Sequence, residues 1–363
     1  MPGIYLELYT ASLALMSLFF IALAVIPRKR FNYITNNRYH PKTLVIMPCK
    51  GHEIDLADNL RMARSQLYRN YDVVAVVDSG KDTALDAIRK TKTRYMVFSY
   101  RRGSASRKVA ALAAAISGFR DYDAYAILDS DVNVGRDWLG HLVAPLADNR
   151  VGISTSYPVF KPIGGFWSKV KHAWGYVGQG LEEDDRTSFG WGGSLAFRKE
   201  LLDSNDFTYF SHSVSDDIAL TRIAKRRGLK VAYAKSAEPS VISDDSFSKF
   251  WEWSNRQTAI FVAAGGRRYG KKLILYYGAA VLIMLSAVFL GISVSEWYLI
   301  FLAPQVISAV KLWIRSGHSY MLAISFIMNF VYLANTVKAE GMRYVTWRGT
   351  VYDLDLIRND SYH

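Results

Sequence analysis

The sequence has one cysteine, Cys49, among its 363 residues. A single thiol cannot form an intramolecular disulfide or a zinc site built on several cysteines, and its scarcity suits a reducing compartment. The seven histidines are scattered and do not form a cluster with the spacing of metal ligands. The chain also lacks the glycine-rich dinucleotide fingerprint, the P-loop, the Gly-x-Ser-x-Gly elbow and the His-Glu-x-x-His zinc motif. No sequence pattern for those chemistries is therefore present.

Negative charge is scarce, since 32 Asp and Glu residues stand against 45 Lys and Arg, which gives a net charge of +13. This balance predicts an anionic partner, and nucleic acid, anionic lipid headgroups and phosphorylated substrates all fit. Half of the residues are hydrophobic, and they include 9 Trp and 23 Tyr. Because amphipathic rings settle where membrane meets water, this composition favours a membrane interface.

Residues 4–26 form an apolar run in which Glu7 is the only charged residue. About 20 residues cross the hydrocarbon core of a bilayer. The basic residues 28–30 follow the run instead of preceding it, which argues against a cleaved signal peptide. We therefore predict an uncleaved membrane anchor over residues 1–30. The positive-inside rule then places the next domain, residues 31–246, on the cytoplasmic side.

Three further apolar segments predict C-terminal transmembrane helices over residues 273–338. These segments cover residues 273–294, 297–313 and 320–337. Four spans in total would leave the tail, residues 339–363, outside, whereas Lys338, Arg343 and Arg348 favour the inside. One segment could be re-entrant or interfacial, so the number of spans of this multi-pass protein and the side of its C-terminus stay open.

Residues 31–246 alternate short apolar runs with helical patterns. We predict strands at residues 43–48, 72–77, 95–99 and 124–128, separated by helices. Such alternation implies an α/β fold with a parallel sheet and right-handed crossovers. Ligands of such sheets bind beyond the carboxyl ends of the strands, so the residues that follow each strand are the candidates for chemistry.

Asp129 and Asp131 are separated by one residue at the end of the fourth predicted strand. In extended or turn geometry, two such carboxylates can point to one side, where they repel unless a cation neutralises them. Mg²⁺ and Mn²⁺ suit all-oxygen sites and leave positions for substrate phosphates. Asp-Ser-Asp also suits a simple turn. The location of the pair at the mouth of the sheet favours the metal site.

Three other acidic residues have both a structural and a functional interpretation. Asp78 follows the second strand, where it can cap the next helix or accept hydrogen bonds from a base or a ribose. Asp216 and Asp217 follow Ser215 at a predicted helix start, where the helix dipole favours both charges. A carboxylate at this position could also take a proton from an acceptor hydroxyl as a general base.

Two further segments are candidates for ligand contact. Residues 190–194, Gly-Trp-Gly-Gly-Ser, allow the backbone to approach a ligand closely, or form a tight turn before a strand. Residues 247–272 include the stretch Phe-Trp-Glu-Trp-Ser-Asn-Arg-Gln, which predicts an amphipathic segment at the membrane interface. Within this stretch, Arg256 could bind a diphosphate bidentately.

Taken in order, these motifs resemble the inverting family 2 glycosyltransferases of the GT-A fold, and more narrowly their ceramide glucosyltransferase-like branch. The resemblance runs from the N-terminal anchor through the opening Pro48-Cys-Lys-Gly to Trp347-Arg-Gly-Thr-Val-Tyr near the C-terminus. It implies a Rossmann-like, mixed, mainly parallel sheet flanked by helices, with transmembrane helices on both sides of the catalytic domain in the sequence.

The resemblance implies a role for individual residues on the donor side. Asp78 would contact the nucleotide base, and Lys108, in the segment Lys-Val-Ala-Ala-Leu, would approach the donor. Asp129 and Asp131 match the family's Asp-x-Asp, in which Asp131 is expected to hold Mn²⁺ or Mg²⁺. The donor-binding residues that the resemblance implies are Pro48, Lys50, Asp78, Lys108, Asp129, Asp131 and Arg256.

On the acceptor side, the resemblance makes Asp217 the catalytic base. The acceptor-side residues that it implies are Trp191, Gly192, Gly193 and Asp216. There is one departure from the family, which usually carries a Gln/Arg-x-x-Arg-Trp motif near its third membrane-associated segment. Here the matching stretch is Trp253-Ser-Asn-Arg-Gln, so only Arg256 is retained, and the departure weakens the case for ceramide as the acceptor.

The function implied is transfer of a hexose, glucose by resemblance, from a UDP-sugar to a lipid hydroxyl, with a divalent cation and inversion of configuration. A polyprenyl-phosphate glycosyltransferase and a polysaccharide synthase are alternatives, although a synthase pore would need more spans. Outside the enzymes, the alternative is a basic membrane scaffold. We expect no nucleic-acid partner, because strand-end carboxylates repel phosphates without a metal.

Overall fold

A computed structural model describes residues 2–36, 38–51, 53, 55–100, 105–266, 268–347 and 350–358. Arg348, one of the basic residues that bear on the side of the C-terminus, lies outside these described residues. The chain divides into two compact units. The helical unit contains Met1–Pro27, Gly164–Tyr176 and Asp245–Leu354, and the sheet unit contains Arg28–Ile163, Val177–Asp244 and Asp355–His363.

Eleven strands are present in the described part of the chain. They are β1 Thr43–Pro48, β2 Tyr71–Val77, β3 Arg94–Val97, β4 Ala124–Leu128, β5 Val151–Thr155, β6 Val159–Pro162, β7 Ser194–Arg198, β8 Lys230–Tyr233, β9 Ser240–Ser243, β10 Tyr344–Trp347 and β11 Thr350–Asp353. Seven of them form one sheet in the order β3-β2-β1-β4-β7-β5-β8. The others form two-stranded pairs, β6 with β9 in parallel and β10 with β11 in antiparallel orientation.

The described α-helices alternate with these strands in the middle of the sequence and follow one another near its end. They are α1 Pro2–Val25, α2 Leu56–Arg64, α3 Ala84–Lys90, α4 Arg107–Gly118, α5 Trp138–Val143, α6 Phe166–Glu182, α7 Ser204–Ser211, α8 Asp216–Arg226, α9 Phe247–Ala264, α10 Tyr269–Ser293, α11 Ala303–Ser316, α12 Tyr320–Glu340 and α13 Asp355–Arg358. Short 3₁₀ turns occur at Ala144–Ala147, Lys199–Leu201, Lys235–Ala237 and Glu296–Leu302.

The seven-stranded sheet is mixed and mainly parallel, as predicted. Only β7 runs against its neighbours, β4 on one side and β5 on the other. Strand β1 pairs in parallel with β2 and with β4, so the strand order reverses between β1 and β4. Such a reversal opens a crevice at the carboxyl ends of the strands, which is where sheets of this kind bind ligands.

The apolar runs that predicted strands are buried because helices cover the sheet. Leu44 and Ile46 of β1 and Ile127 of β4 are fully buried. They pack in one core with Leu112 of α4 and Leu220 of α8. Strands buried on both faces read as continuous apolar runs, which explains why the sequence showed no alternation there.

The helical unit contains four helices that are long and apolar enough to cross a membrane. They are Ile4–Val25, Tyr269–Ser293, Glu296–Ser316 and Tyr320–Glu340. Large apolar side chains remain exposed on them, among them Ile292 and Phe289 of α10. The predicted membrane segments are therefore present as helices, although the third begins with a 3₁₀ turn before α11. The predicted amphipathic segment, residues 247–272, contains α9 and extends into the first turn of α10, and the β10–β11 pair has no counterpart in the sequence prediction.

Candidate active site

A first cluster of charged side chains surrounds Asp78, which follows β2. Lys50, just beyond β1, places Nζ 2.5 Å from Asp78 Oδ1 and 3.3 Å from Asp82 Oδ2. Arg107 of α4 donates to Asp78 Oδ2, and the backbone N–H of Gly51 donates to Asp82 Oδ1 at 2.8 Å. The residues after two neighbouring parallel strands thus meet through opposite charges.

Asp78 is held in its ionised form. Burial by itself would raise the pKa of this carboxyl, but the hydrogen bonds and charges of Lys50 and Arg107 outweigh burial and lower the pKa. The Asp78 side chain is only 5% exposed, whereas Lys50 and Arg107 are 39% and 40% exposed. The exposed faces of these two cations can therefore meet an anionic ligand while Asp78 fixes their positions.

A second cluster centres on Lys108, the residue after Arg107. Its Nζ lies 2.8 Å from Asp129 Oδ1 and 3.1 Å from Asp216 Oδ2. The same ammonium donates to the Gly192 carbonyl oxygen at 2.9 Å. One buried lysine thereby joins the end of β4, the start of α8 and the glycine-rich segment. Since Arg107 and Lys108 are adjacent at the start of α4, this helix connects both clusters.

The second cluster is a strongly coupled electrostatic group. Burial disfavours a charged Lys108, but Asp129, Asp216 and Asp217 raise its pKa above the ordinary value. Burial raises the pKa of Asp216 to about 7, although Lys108 acts in the opposite direction and Asp217 and Asp129 reinforce the increase. One cation therefore faces several carboxylates, and a bound proton or a second cation would relieve the excess negative charge.

Asp217 lies on α8 next to Asp216 and contacts the same glycine-rich segment. Its Oδ2 accepts from the Gly192 N–H at 3.4 Å, and its Oδ1 accepts from the Ile218 N–H at 2.8 Å. Ser215 occupies the N-cap position of α8, as predicted, but its hydroxyl donates to Asp217 and does not accept from a backbone N–H of the helix. The half-buried carboxylate of Asp217 is thus oriented by groups on both sides.

The glycine loop, residues 188–193, requires glycine at positions 192 and 193 for steric reasons. A Cβ atom on Gly192 would lie 2.5 Å from Asp216 Oδ2 and 2.9 Å from Lys108 Nζ. A Cβ atom on Gly193 would lie 2.2 Å from the Trp191 ring. The Gly193 carbonyl also accepts from the Asp129 N–H at 3.1 Å. The predicted acceptor-side residues therefore contact the predicted donor-side residues directly.

Asp129 and Asp131 have an oxygen chemistry that fits Mg²⁺ or Mn²⁺. Asp129 is half-buried and bound to Lys108, whereas Asp131 is exposed beyond the end of β4. Within the described residues, there is no group of three or more His, Cys, Asp or Glu side chains placed to hold a metal. A cation that takes one or two carboxylates and completes its shell with substrate phosphates does not need a third protein ligand.

The structure brings most of the predicted site residues together. Pro48 ends β1 opposite Val76 of β2, and the two clusters with the adjoining glycine loop contain the other predicted residues of the sheet unit except Asp131, which is exposed beyond the end of β4. Arg256 lies on α9 in the helical unit, so its predicted donor contact stays a prediction. Sequence reasoning missed Arg107 and Asp82. Each of them meets its own charged partner only after folding. The one signal in the sequence was the position of Arg107 beside Lys108 at a helix start.

The fold is that of the GT-A glycosyltransferases, and a solved enzyme of this kind superposes along most of the chain. It is the mannosyltransferase of Pyrobaculum calidifontis in complex with GDP-Man and Mn²⁺, with 18% identity, a TM-score of 0.54, and coverage of 88% of this chain and 96% of that chain. Glucosyl-3-phosphoglycerate synthase of Mycobacterium tuberculosis, solved with Mn²⁺ and UDP, has 14% identity, a TM-score of 0.38, and coverage of 61% and 80%. No curated protein sequence matches the chain.

The chain belongs to glycosyl transferase family 21, whose model matches residues 9–358. It is therefore a glycosyltransferase, and the basic membrane scaffold is not its function. The ceramide glucosyltransferase-like branch that the motifs resemble is the one classified as family 21, so the match confirms the resemblance for the family but not for the substrate. The family match spans both units, and so includes the apolar helices as well as the sheet.

Proposed function

We propose that this glycosyltransferase transfers glucose from UDP-glucose to the hydroxyl of a membrane lipid with inversion at the anomeric carbon. The observation that carries the proposal is the meeting of Lys108, Asp129 and Asp216 at the mouth of the sheet, with Asp217 of α8 beside them and hydrogen-bonded to the Gly192 N–H. A cation for a diphosphate and a carboxylate for a hydroxyl proton would thereby lie at one crevice.

On the donor side, Asp78 is the proposed contact of the uracil or ribose, and Pro48 and Lys50 line the same edge of the sheet. The exposed faces of Lys50 and Arg107 would attract the diphosphate. Asp131, with Asp129 beside it, would hold Mn²⁺ or Mg²⁺. When bound, such a cation offsets the charge that grows on the leaving diphosphate. Arg256 is proposed to add a further positive charge.

On the acceptor side, the oxygen of the lipid hydroxyl attacks the anomeric carbon as the bond to the diphosphate oxygen breaks. The hydroxyl proton passes to Asp217, whose carboxylate is aimed by Ser215 and Gly192. Asp216, bound to Lys108, would keep that lysine in place, and Trp191 with its neighbouring glycines would contact the acceptor. Because attack and departure occur on opposite faces, the configuration inverts.

A lipid acceptor is supported by the location of the apolar helices. They precede and follow the sheet-forming segments in the sequence, so we propose an integral, multi-pass membrane protein with its catalytic domain on the cytoplasmic side. Residues 166–176 mix aromatic side chains with lysine, which suits a helix in the headgroup zone. Lipids would then reach the enzyme by lateral diffusion.

The test uses the purified full chain in detergent with Mn²⁺, a panel of nucleotide-sugars and lipid acceptors, followed by mass spectrometry of the lipids. We expect UDP-glucose to give a glucosylated lipid alcohol. Glucose transfer to polyprenyl phosphate instead would favour that alternative, and a growing polysaccharide would favour a synthase. Absence of both transfer and donor hydrolysis with every nucleotide-sugar would overturn the proposal.

A further inference from the structure

One face of α8 is aligned with the glycine loop along its length. Asp217, Thr221 and Lys225 are spaced four residues apart, so their side chains project from the same side of the helix. Each of them bonds to a different backbone position of the loop. The contacts proceed from Gly192 through Gly190 to Ser188 as the helix advances, so that loop and helix run in opposite directions.

The three contacts are of different kinds. Asp217 Oδ2 accepts from the Gly192 N–H at 3.4 Å, and Thr221 Oγ1 accepts from the Gly190 N–H at 2.8 Å. Lys225 Nζ donates to the Ser188 carbonyl oxygen at 2.8 Å. Thr221 is buried and lies at the middle of this series, whereas Lys225 is exposed at its far end. The middle contact is therefore the one that water can replace least readily.

A second threonine holds the residue between the two glycines. Thr155, fully buried at the end of β5, accepts from the Trp191 N–H at 2.9 Å and donates to the Ser194 carbonyl at 3.0 Å. Consecutive amides of the loop, those of Gly190 and Trp191, thus donate to threonine hydroxyls from two different elements, α8 and β5. This fixes the backbone on either side of the Trp191 side chain.

The Trp191 ring has a defined environment as a result. It lies 5.6 Å from the ring of Tyr157, which is itself buried and contacts Phe189 at 6.3 Å between ring centroids. Gly178 of α6 passes so close to Tyr157 that an added Cβ would lie 2.2 Å from its ring. Tyr157 therefore has little room to move, and the position of Trp191 depends on how its own backbone is held.

We propose that Thr155, Thr221 and Lys225 are positioning residues for the acceptor, which act by fixing the glycine loop and hence Trp191. None of them is a catalytic residue, because each acts through the loop. The inference rests on the proposed acceptor role of this loop. The face of α8 that begins with the proposed base Asp217 then also positions the acceptor through the loop. The placement of the base is thereby coupled to that of the acceptor.

Hydrogen–deuterium exchange of the peptide that covers residues 187–195, in the full chain in detergent, tests the contacts without relying on activity. Thr221→Val keeps the shape of the side chain but removes the acceptor of the Gly190 N–H, and we expect exchange of that amide to accelerate about tenfold. Thr221→Ser should restore protection. Arg222→Gln, on another face of the same helix, should leave this peptide unchanged.

Steady-state kinetics test the consequence for the acceptor. Thr221→Val and Lys225→Met should raise the KM for the lipid acceptor about tenfold while leaving the KM for the nucleotide-sugar near that of the wild type, and Lys225→Arg should restore the acceptor KM. Unchanged exchange together with an unchanged acceptor KM in Thr221→Val would overturn the inference. A wild-type enzyme that transfers no sugar would overturn the proposed function instead, and exchange would still report on the contacts.

Discussion

Lys108 and Asp216 form a buried ion pair, with Nζ 3.1 Å from Oδ2 and side chains that are 9% and 7% exposed. Lys108 comes from α4 and Asp216 from α8, two helices that are far apart in the sequence. Asp129 and the Gly192 carbonyl share the same ammonium. The pair is thus the point at which the donor side and the acceptor side of the proposed site are joined.

Replacing Lys108 with Met should destabilise the sheet unit, because Asp216 and Asp129 would lose their shared cation in a buried place. Removal of one partner from a buried pair costs about 3–5 kcal/mol. We expect a lower melting temperature in detergent and partial recovery in the double variant Lys108→Met/Asp216→Asn, which no longer buries the Asp216 charge. Additive losses in a double-mutant cycle would contradict a direct interaction.

Asp216 should make the stability of the protein depend on pH. Its pKa in the folded chain is about 7, above the ordinary carboxyl value of about 3.9, so the folded state binds a proton more tightly than the unfolded state. Its stabilising contribution is therefore full below about pH 4 and is lost as the pH rises through 7. The melting temperature of Asp216→Asn, relative to wild type, should rise between pH 5 and 8; a constant difference would refute the assignment.

Asp217→Asn should lower the rate of transfer by about 100-fold or more, because the acceptor hydroxyl would lose its base. Donor binding should change little, since Asp217 contacts the glycine loop and not the residues around Asp78. The measurement is single-turnover transfer alongside calorimetric titration with the nucleotide-sugar. Transfer by Asp217→Asn at nearly the wild-type rate would exclude this base, or would indicate an acceptor that is already an oxyanion.

Asp131→Ala should remove the increase in donor affinity that Mn²⁺ produces in the wild type. The reason is that the proposed cation loses its protein ligand while Lys50 and Arg107 keep their contacts with Asp78. Donor titrations with Mn²⁺ and with EDTA give the difference directly. Asp86→Asn, an exposed carboxylate on α3, is the control and should behave as wild type. An undiminished response to Mn²⁺ in Asp131→Ala would exclude Asp131 as a ligand of the cation.

Gly192→Ala should reduce transfer by on the order of 100-fold, since a displacement of about 1 Å in an active site can have this effect. The added methyl group would collide with Asp216 and Lys108. Gly135→Ala is the matched control, because a Cβ atom there has nothing within 4 Å. Initial rates of the two variants decide the matter: equal rates would show that the loop tolerates a side chain at Gly192.

Much of the fold could be predicted because its local signals agree. Apolar runs without alternation gave β1, β2 and β4 nearly to the residue, since strands buried on both faces have no polar side. The membrane segments were also clear from length and composition. The strand that follows the glycine-rich segment was predicted and is β7, but its antiparallel direction was not, and the pair β10–β11 was not placed, because short strands are defined by their partners more than by their own residues.

The candidate site likewise contains residues that the sequence identifies and contacts that form only on folding. Strand-end positions identify Asp78, Asp129 and Asp131 from the sequence alone, because the carboxyl ends of parallel strands meet at one edge. The contacts of Arg107 with Asp78 and of Thr221 with Gly190 had no such signal. These contacts join residues that are far apart in the sequence, and neither the arginine nor the threonine belongs to a motif that would single it out.

The sequence by itself determined the class of fold, the apolar helices and the acidic residues at the strand ends, because these follow from hydrophobic pattern and chain order. Only the tertiary structure decided that one lysine serves both Asp129 and Asp216, and that one face of α8 holds the glycine loop. Such sharing is a matter of distance between elements, and burial then fixes which charges and hydrogen bonds must be satisfied together.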